Sequence, residues 1–507
     1  MPRWWWLPAG LLIVALLLGF VQPLTSDTSV YLLQTRTLLE TGNRYIDSHD
    51  SKGPLLVWLT APAVRLFGAG AAAAGALRAL SALGIAAILY RLIRAGGDRS
   101  RHTAIHFAAL AAALPYSAIV WGDSLRPETY AILLTGLILL LGQRGTPVAA
   151  FAAGALTGAI LFLKSILILP ALVMLAVWLV LEQRRHHAWP FKSAICLALG
   201  ALLTATLTLG WLARNDSVAG WYRQTVEWPA EFRDAAPATV ETGGQNSFVT
   251  GLLTLYKASD DPARPWWMPI KVPVTLLRTG IWPFFLLAIG LLLRKGMSRD
   301  RISLLTLGWI AGALLELCLE YRRWAYPAAG LLPPLLLWIA LAPKSGADEG
   351  RRIGLVWLCA SILLAGIAAE TAHLVPARLR GTPQSPYEAL ALAMRPHYQP
   401  GNTLLVLDNN YALHLLLPAP APPPILSLHV AMVNPEERET LRQRLEIFPP
   451  TWITSKNPAY SGIRFGRDQP ETVAVREQEG ALIISGPYPA FLSCSNAWAR
   501  RLDIGAP

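Results

Sequence analysis

The first strongly polar stretch of the chain reads Ser26-Asp27-Thr28-Ser29-Val30-Tyr31. It continues through Thr41-Gly42-Asn43-Arg44-Tyr45 to Asp47-Ser48-His49-Asp50-Ser51-Lys52-Gly53-Pro54. Asp27 follows directly on a block, Trp4 to Ser26, that holds no charged residue. Its carboxylate therefore stands where apolar surroundings give way to water. A carboxylate held there can act as a general base when its neighbours restrict solvation and tune its pKa. The plainer alternative is that Asp27 caps the helix that starts here, since Asp is a favoured N-cap. Five cations fall on the same side of the chain's topology, derived below: Lys52, Arg126, Lys164, Arg322 and Arg323. Fixed cations aimed at a leaving group that builds negative charge lower its barrier, by roughly 2.7–4 kcal/mol per preorganised donor.

Each of these residues also has an ordinary structural explanation. Lys164 is the only charge between Gly145 and Leu181. A lysine in an apolar stretch costs roughly 2.5–3.5 kcal/mol at mid-membrane and less near an end. It either meets an anion or snorkels from a helix end. Arg322 and Arg323 lie in Tyr321-Arg322-Arg323-Trp324-Ala325-Tyr326-Pro327, where they serve as site cations or as interfacial anchors. Glu128 follows Pro127 at a helix start, where a carboxylate suits the dipole or faces a cavity. Glu316 and Glu320 share a helix face, and pairing with nearby arginines is the simple account of both.

The elements that must position these residues are membrane spans. The chain has 507 residues, 53% hydrophobic and only 15% charged, against about 25% charged in soluble domains. Apolar blocks after the first lie near 75–93, 104–121, 128–142, 147–163, 165–181, 193–212, 272–293, 302–320, 325–342 and 353–372. With the first, they predict about 11 spans. The first block resembles an uncleaved anchor more than a signal peptide. It is long, it opens on Trp4, Trp5 and Trp6 as an interfacial belt would, and no small-x-small cleavage site follows. Segment 54–67 is short and interrupted by Pro54 and Pro62, and reads as a membrane-edge helix. With the N-terminus and Arg3 inside, every short inside loop is basic. These loops hold Arg91, Arg94, Arg99 and Arg101; Arg144; Arg184, Arg185 and Lys192; Arg294, Lys295, Arg299 and Arg301; and Lys344, Arg351 and Arg352. That is the positive-inside rule, and it accounts for the net charge of +12 without nucleic acid.

The same parity puts 26–53, 213–271 and 373–507 outside. The chain thus divides into a transmembrane domain, 1–375, and an extracytoplasmic α/β domain, 376–507. In the tail, strand-like runs stand at Leu404–Leu407, Trp452–Thr454, Thr472–Val475 and Ala481–Ser485. A helix is expected over Pro435–Phe448, with Asn434 as N-cap and Pro435 at its first position. Pro418, Pro420 and Pro422 to Pro424 mark an extended connection. No Walker-type loop, Ser-His-Asp ordering or nucleic-acid motif is present. Cys196, Cys318 and Cys359 lie in apolar blocks and Cys494 near the end, without metal or disulfide spacing.

Taken in order, these motifs resemble the family-39-like bacterial glycosyltransferases of the GT-C superfamily, which are relatives of the protein O-mannosyltransferases and the lipid A aminoarabinose transferases. The resemblance rests on Asp27 after the first span, the Asp50-x-Lys52-x-Pro54 element before a short apolar helix, and Arg126-Pro127-Glu128 opening a span. It extends to Lys164 between spans, the Tyr321–Pro327 segment, the Leu404-Val406-Asp408 strand and the Pro449-Pro450-Thr451-Trp452-Ile453 turn. Gly53 stands where the first proline of the family's pattern usually does.

The resemblance implies a mainly α, polytopic membrane bundle with an outside cavity and a polyprenyl-phosphate sugar as donor. It makes Asp27 the base that deprotonates an acceptor hydroxyl, with inversion at the sugar. Lys52, Lys164, Arg126, Arg322 and Arg323 would hold the donor phosphate, and Tyr31, Tyr45, Asp50, Glu128 and Tyr326 would line the cavity. Some relatives place a divalent metal near the residue matching Asp50; no other cofactor is implied. The acceptor, whether glycan, lipid or protein, would meet 213–271 and the tail, where Trp221, Trp228, Trp266 and Trp267 suit sugar faces or the membrane interface. A transporter or flippase is the alternative from another class. Against it, no repeat symmetry of the kind transporters show is visible.

Overall fold

The computed structural model describes residues 6–41, 52–96, 100–120, 126–227, 268–295, 300–319, 326–342, 348–383, 385–396, 398, 404–406, 411–417, 452–455, 474–478, 481–485 and 490–493. In chain order the helices begin with α1 (Trp6–Val21), α2 (Ser26–Thr41), α3 (Pro54–Phe67), α4 (Ala71–Ala95), α5 (Arg101–Ala113) and α6 (Pro127–Arg144). Next come α7 (Pro147–Leu161), α8 (Leu169–His186), α9 (Phe191–Arg214), α10 (Val218–Tyr222), α11 (Met268–Arg278) and α12 (Trp282–Lys295). The last are α13 (Arg301–Leu319), α14 (Leu332–Leu341), α15 (Asp348–Leu379), α16 (Pro386–Met394) and α17 (Leu413–Leu416). The chain forms two compact units. One comprises Met1–Gly19, Gly75–Gly210 and Pro237–Ala372; the other comprises Phe20–Ala74, Trp211–Ala236 and His373–Pro507.

Among the described residues five helical stretches are long and apolar enough to cross a membrane: Ala71–Ala95, Ser165–His186, Phe191–Arg214, Arg301–Leu319 and Glu349–Leu379. Trp6–Val21, Pro54–Phe67, Pro147–Leu161 and Pro327–Leu341 are shorter apolar helices. The block 272–293 is not one straight span. It is a pair, Val272–Arg278 and Trp282–Leu293, bent by 118°. Gly280 sits at the corner with φ 67, a backbone region that costs side-chain-bearing residues energy, and Pro283 starts the second arm. The block 104–121 stops being α-helical at Ala113 and continues as two 3₁₀ turns, Leu114–Tyr116 and Ala118–Val120. Pro115 removes the amide that would continue the ladder.

In the first unit α13 packs along α8, and α6 along α7. Every residue of α14 is buried, as befits a helix that is apolar all round; α5, α12 and α13 surround it. α7 and α9 approach each other closely at two glycines. A Cβ at Gly154 would lie 2.0 Å from the Leu197 carbonyl oxygen, and one at Gly200 2.0 Å from that of Phe151. Small residues are what let membrane helices come this near.

In the second unit α2 packs on α3, and the buried hydroxyls of Thr35 and Thr60 are hydrogen-bonded across the contact. Trp58 and Trp211 meet edge to face at 4.9 Å. Ser385 caps α16 by accepting from the Glu388 amide at 3.2 Å, the Ser-x-x-Glu signature of a helix start. Five short strands form one sheet in the order β1 (Leu404–Val406), β2 (Trp452–Ser455), β5 (Ala490–Ser493), β4 (Ala481–Ser485), β3 (Ala474–Gln478). The β1–β2 pair is parallel, with Leu404 opposite Trp452; the rest are antiparallel, with Ile453 opposite Leu492 and Ile484 opposite Phe491. The helix expected over 435–448 lies outside the described residues.

Candidate active site

The second unit holds Asp27, Tyr31 and Lys52. Asp27 stands in the first turn of α2, half-buried. It is not the cap. The Thr28 amide donates to the Thr25 hydroxyl at 3.4 Å, and the Ser29 hydroxyl and amide both reach the Thr25 carbonyl. Thr25 thus takes the capping role, and the Asp27 carboxylate is spared for other partners while keeping the benefit of the helix N-terminus. Tyr31 is one turn further along the same face and buried. Lys52 is half-buried just ahead of α3, the helix that packs on α2. Gly53, the departure from the family pattern, has φ −71 and ψ 163. That is a conformation proline also adopts, so glycine changes the motif without changing its path. Pro54 then opens α3 at the position where its missing amide costs nothing.

The first unit holds Arg126, Glu128 and Lys164, and brings the last two together. Lys164 lies at the break between α7 and the 3₁₀ turn Ser165–Ile168, with an extended backbone. Its ammonium donates to Glu128 Oε1 at 3.1 Å, with the two side chains only 15% and 6% exposed. Lys164 is therefore paired rather than simply snorkelling. Glu128 is in the first turn of α6, one residue after Pro127, with Arg126 flanking the helix start; the charges of both Lys164 and Arg126 act on its carboxylate. A pair this buried is held by mutual need. Removing one member strands the other's charge, at about 3–5 kcal/mol.

A further cation in this unit escapes a reading of the sequence. Arg78 of α4 is fully buried. Its guanidinium lies 4.5 Å over the Tyr116 ring, and its Nη2 donates to the Tyr116 carbonyl at 3.4 Å. Across from it, a Cβ on Gly19 would touch the Arg78 side chain at 2.8 Å. The Tyr116 hydroxyl lies near Ser81 and Thr129, without hydrogen-bond geometry to either. Thr129 adjoins Glu128, so Arg78 and Tyr116 back the turn that presents the ion pair. The only sequence signal was one arginine in an alanine-rich run, and its partner is 38 residues away.

Tyr326 begins the 3₁₀ turn Tyr326–Leu331, which packs against α6 and α13. Glu316 is buried on α13. Tyr45, Asp50, Arg322 and Arg323 lie outside the described residues, as do Asp47, His49 and Glu320. Among the described residues no group of three or more His, Cys, Asp or Glu is placed to hold a metal ion.

No protein-family model matches the sequence, and no curated protein matches it. Solved structures do match. ArnT from Cupriavidus metallidurans bound to undecaprenyl phosphate aligns over 96% of this chain and 97% of its own, at 15% identity, with a TM-score of 0.62. The same protein in the apo state aligns over 96% of each chain, at 15% identity and a TM-score of 0.57. The likeness is one of fold, and it covers nearly the whole of both chains.

Proposed function

We propose that this integral membrane protein is a glycosyltransferase. It takes a sugar from a polyprenyl-phosphate donor and gives it, with inversion, to an acceptor hydroxyl on the outer side of the bacterial inner membrane. In this reading 1–375 is the catalytic membrane domain with outside loops 26–53 and 213–271, the N-terminus is cytoplasmic, and 376–507 is extracytoplasmic. The observation that carries the reading is the Lys164–Glu128 pair, a largely enclosed ammonium held at 3.1 Å from a buried carboxylate where α7 ends and α6 begins. The ArnT structure with undecaprenyl phosphate, alike in fold, supports a lipid phosphate as the anion such a lysine serves.

The step is a single displacement. Asp27 accepts the proton of the acceptor hydroxyl as that oxygen bonds to the anomeric carbon. The bond from that carbon to the phosphate oxygen breaks, and polyprenyl phosphate leaves with the electron pair. Attack from the face opposite the leaving group inverts the centre. Lys164 and Arg126, with Lys52, Arg322 and Arg323, neutralise the charge that grows on the phosphate. Glu128 keeps Lys164 charged and extended until the phosphate takes its place. Tyr31, Tyr45, Asp50 and Tyr326 line the sugar's cavity. The sugar, hexose or pentose, and the acceptor, whether glycan, lipid or protein, are set by the outer loops and the tail.

The test is turnover of polyprenyl-phosphate sugars by the purified protein, read as release of polyprenyl phosphate in the presence of envelope acceptors. Asp27→Asn should abolish release while leaving the melting temperature unchanged. Retained turnover removes Asp27 from the mechanism.

A further inference from the structure

The chain is held on both sides of Asp27 by segments from beyond 375, within the second unit: upstream at Val21, the last residue of α1, and downstream on α2 itself. Upstream, Arg378 Nη2 donates to the Val21 carbonyl at 3.5 Å and to Glu388 Oε1 at 3.1 Å. Downstream, α17 packs against α2, and Arg36 Nη1 donates to the His414 carbonyl at 3.5 Å. Asp27 lies between these two anchors in the chain.

The downstream grip has an unusual centre. The His414 side chain is 1% exposed, and neither ring nitrogen has a hydrogen-bond partner among the described residues. Its ring lies nearly parallel to that of Tyr411, 6.4 Å away. The charged and titratable groups on the described elements packed around it are Asp27, Tyr31, Arg36 and Glu40 on α2, Tyr387 and Glu388 on α16, Arg395 and Tyr398 just after α16, and Tyr411 beside it. Asp27 stands nine residues, about two and a half turns, before Arg36 on α2, and the two nearer carboxylates are already engaged. Glu40 pairs with Arg36 at 3.9 Å and is largely exposed, and Glu388 pairs with Arg378. Arg395 donates to the Leu416 carbonyl at 3.2 Å, so guanidiniums reach two carbonyls of α17. A protonated imidazole here would be a buried cation beside Arg36, with no anion among the described residues placed to accept it.

We propose that the C-terminal part of the chain positions the helix bearing Asp27, with Arg36, His414 and Arg378 as positioning residues, and that the grip releases when His414 is protonated. The consequence for catalysis rests on the reading of Asp27 as base; the grip itself rests on the contacts. Burial, and after it the nearby Arg36, hold the imidazole at about 3, against 6.5 when freed. A group whose pKa is lowered by docking stabilises the docked state above its free pKa. That stability drains as pH falls from about 6.5 toward about 3. The grip is therefore intact at neutral pH and weakens in acid.

Hydrogen–deuterium exchange on the full chain in lipid nanodiscs tests this. The readout is the amides of Ser26–Thr41, corrected for intrinsic rate, at pH 7.5 and 4.5, with the amides of α13 as control. Opening of α2 should rise about a hundredfold in acid, the ratio set by pKa values of about 3 docked and 6.5 free, while α13 stays put. His414→Phe, which fills the site without titrating, should abolish the rise. His414→Lys should open α2 already at pH 7.5. Equal protection of α2 at both pH values in the wild type overturns the proposal, and so does a rise that survives in His414→Phe. The wild-type comparison needs no variant to fold. Exchange is also indifferent to whether Asp27 is the base, so failure of the enzymatic reading would show in turnover and leave this result standing.

Discussion

At the scale of single residues, the ion pair of Lys164 and Glu128 ties the mechanism to something measurable. Each residue stood out in the sequence alone, Lys164 as the one charge in a long apolar stretch and Glu128 as an acid at a helix start. Their pairing did not, because 36 residues separate them and both had adequate local explanations. The structure removes those explanations by pairing the two, with Glu128 buried and Lys164 largely enclosed. If a lipid phosphate competes with Glu128 for Lys164, removing the carboxylate should help the phosphate. Glu128→Gln should lower the melting temperature, since a stranded buried charge costs about 3–5 kcal/mol. Added polyprenyl phosphate should then raise that melting temperature by more than it does in the wild type. Equal shifts in the two proteins would mean that Lys164 does not change partners. Asp27 teaches a related lesson. Its residue type allowed a cap, and only the geometry of Thr25, Thr28 and Ser29 shows that the cap lies elsewhere.

At the scale of elements, hydropathy located most helices because long apolar runs have few other uses. It erred where backbone chemistry, not hydropathy, decides. Gly280 turns a run of even hydropathy through a corner, and Pro115 ends α5 before its apolar stretch is over. Arg78 was missed for the opposite reason: its surroundings come from Gly19 of α1 and from Tyr116, which no local window contains. Helix packing was equally hidden, since Gly154 and Gly200 look like any other glycines in apolar helices. Their neighbours make a sharp prediction. The clash at either site is between a Cβ and backbone, which cannot rotate away. Gly154→Ala and Gly200→Ala should each destabilise the protein by about 1–3 kcal/mol or more, the usual cost of overpacking. Ala substitution at Gly210, where nothing lies within 4 Å, should be harmless. Thermal unfolding in detergent checks all three, and an unaffected Gly154→Ala would refute the α7–α9 contact.

At the scale of the whole molecule, the proposed function joins a shared fold to a charge pattern in which every short inside loop expected from the sequence is basic. The likeness to ArnT extends over 96% of the chain at 15% identity, so the fold is shared where little of the sequence is. Asp27, Lys52, Arg126 and Lys164 each adjoin a helix end, as the span parity read from the sequence expects. The sheet of the tail was only partly legible. Four of its strands overlap runs rich in apolar residues, whereas Ala490–Ser493 gives no alternation long enough to mark it.

The central claim is that these cations hold the phosphate of a lipid carrier. The most direct test is binding of polyprenyl phosphate to the purified protein, wild type beside Lys52→Ala and Lys164→Ala. Saturable binding in the wild type, weakened at least about tenfold in each variant, a loss of about 1.4 kcal/mol, is the expected result. A folded wild type that binds no such lipid, or variants that bind as well as it does, would contradict the account.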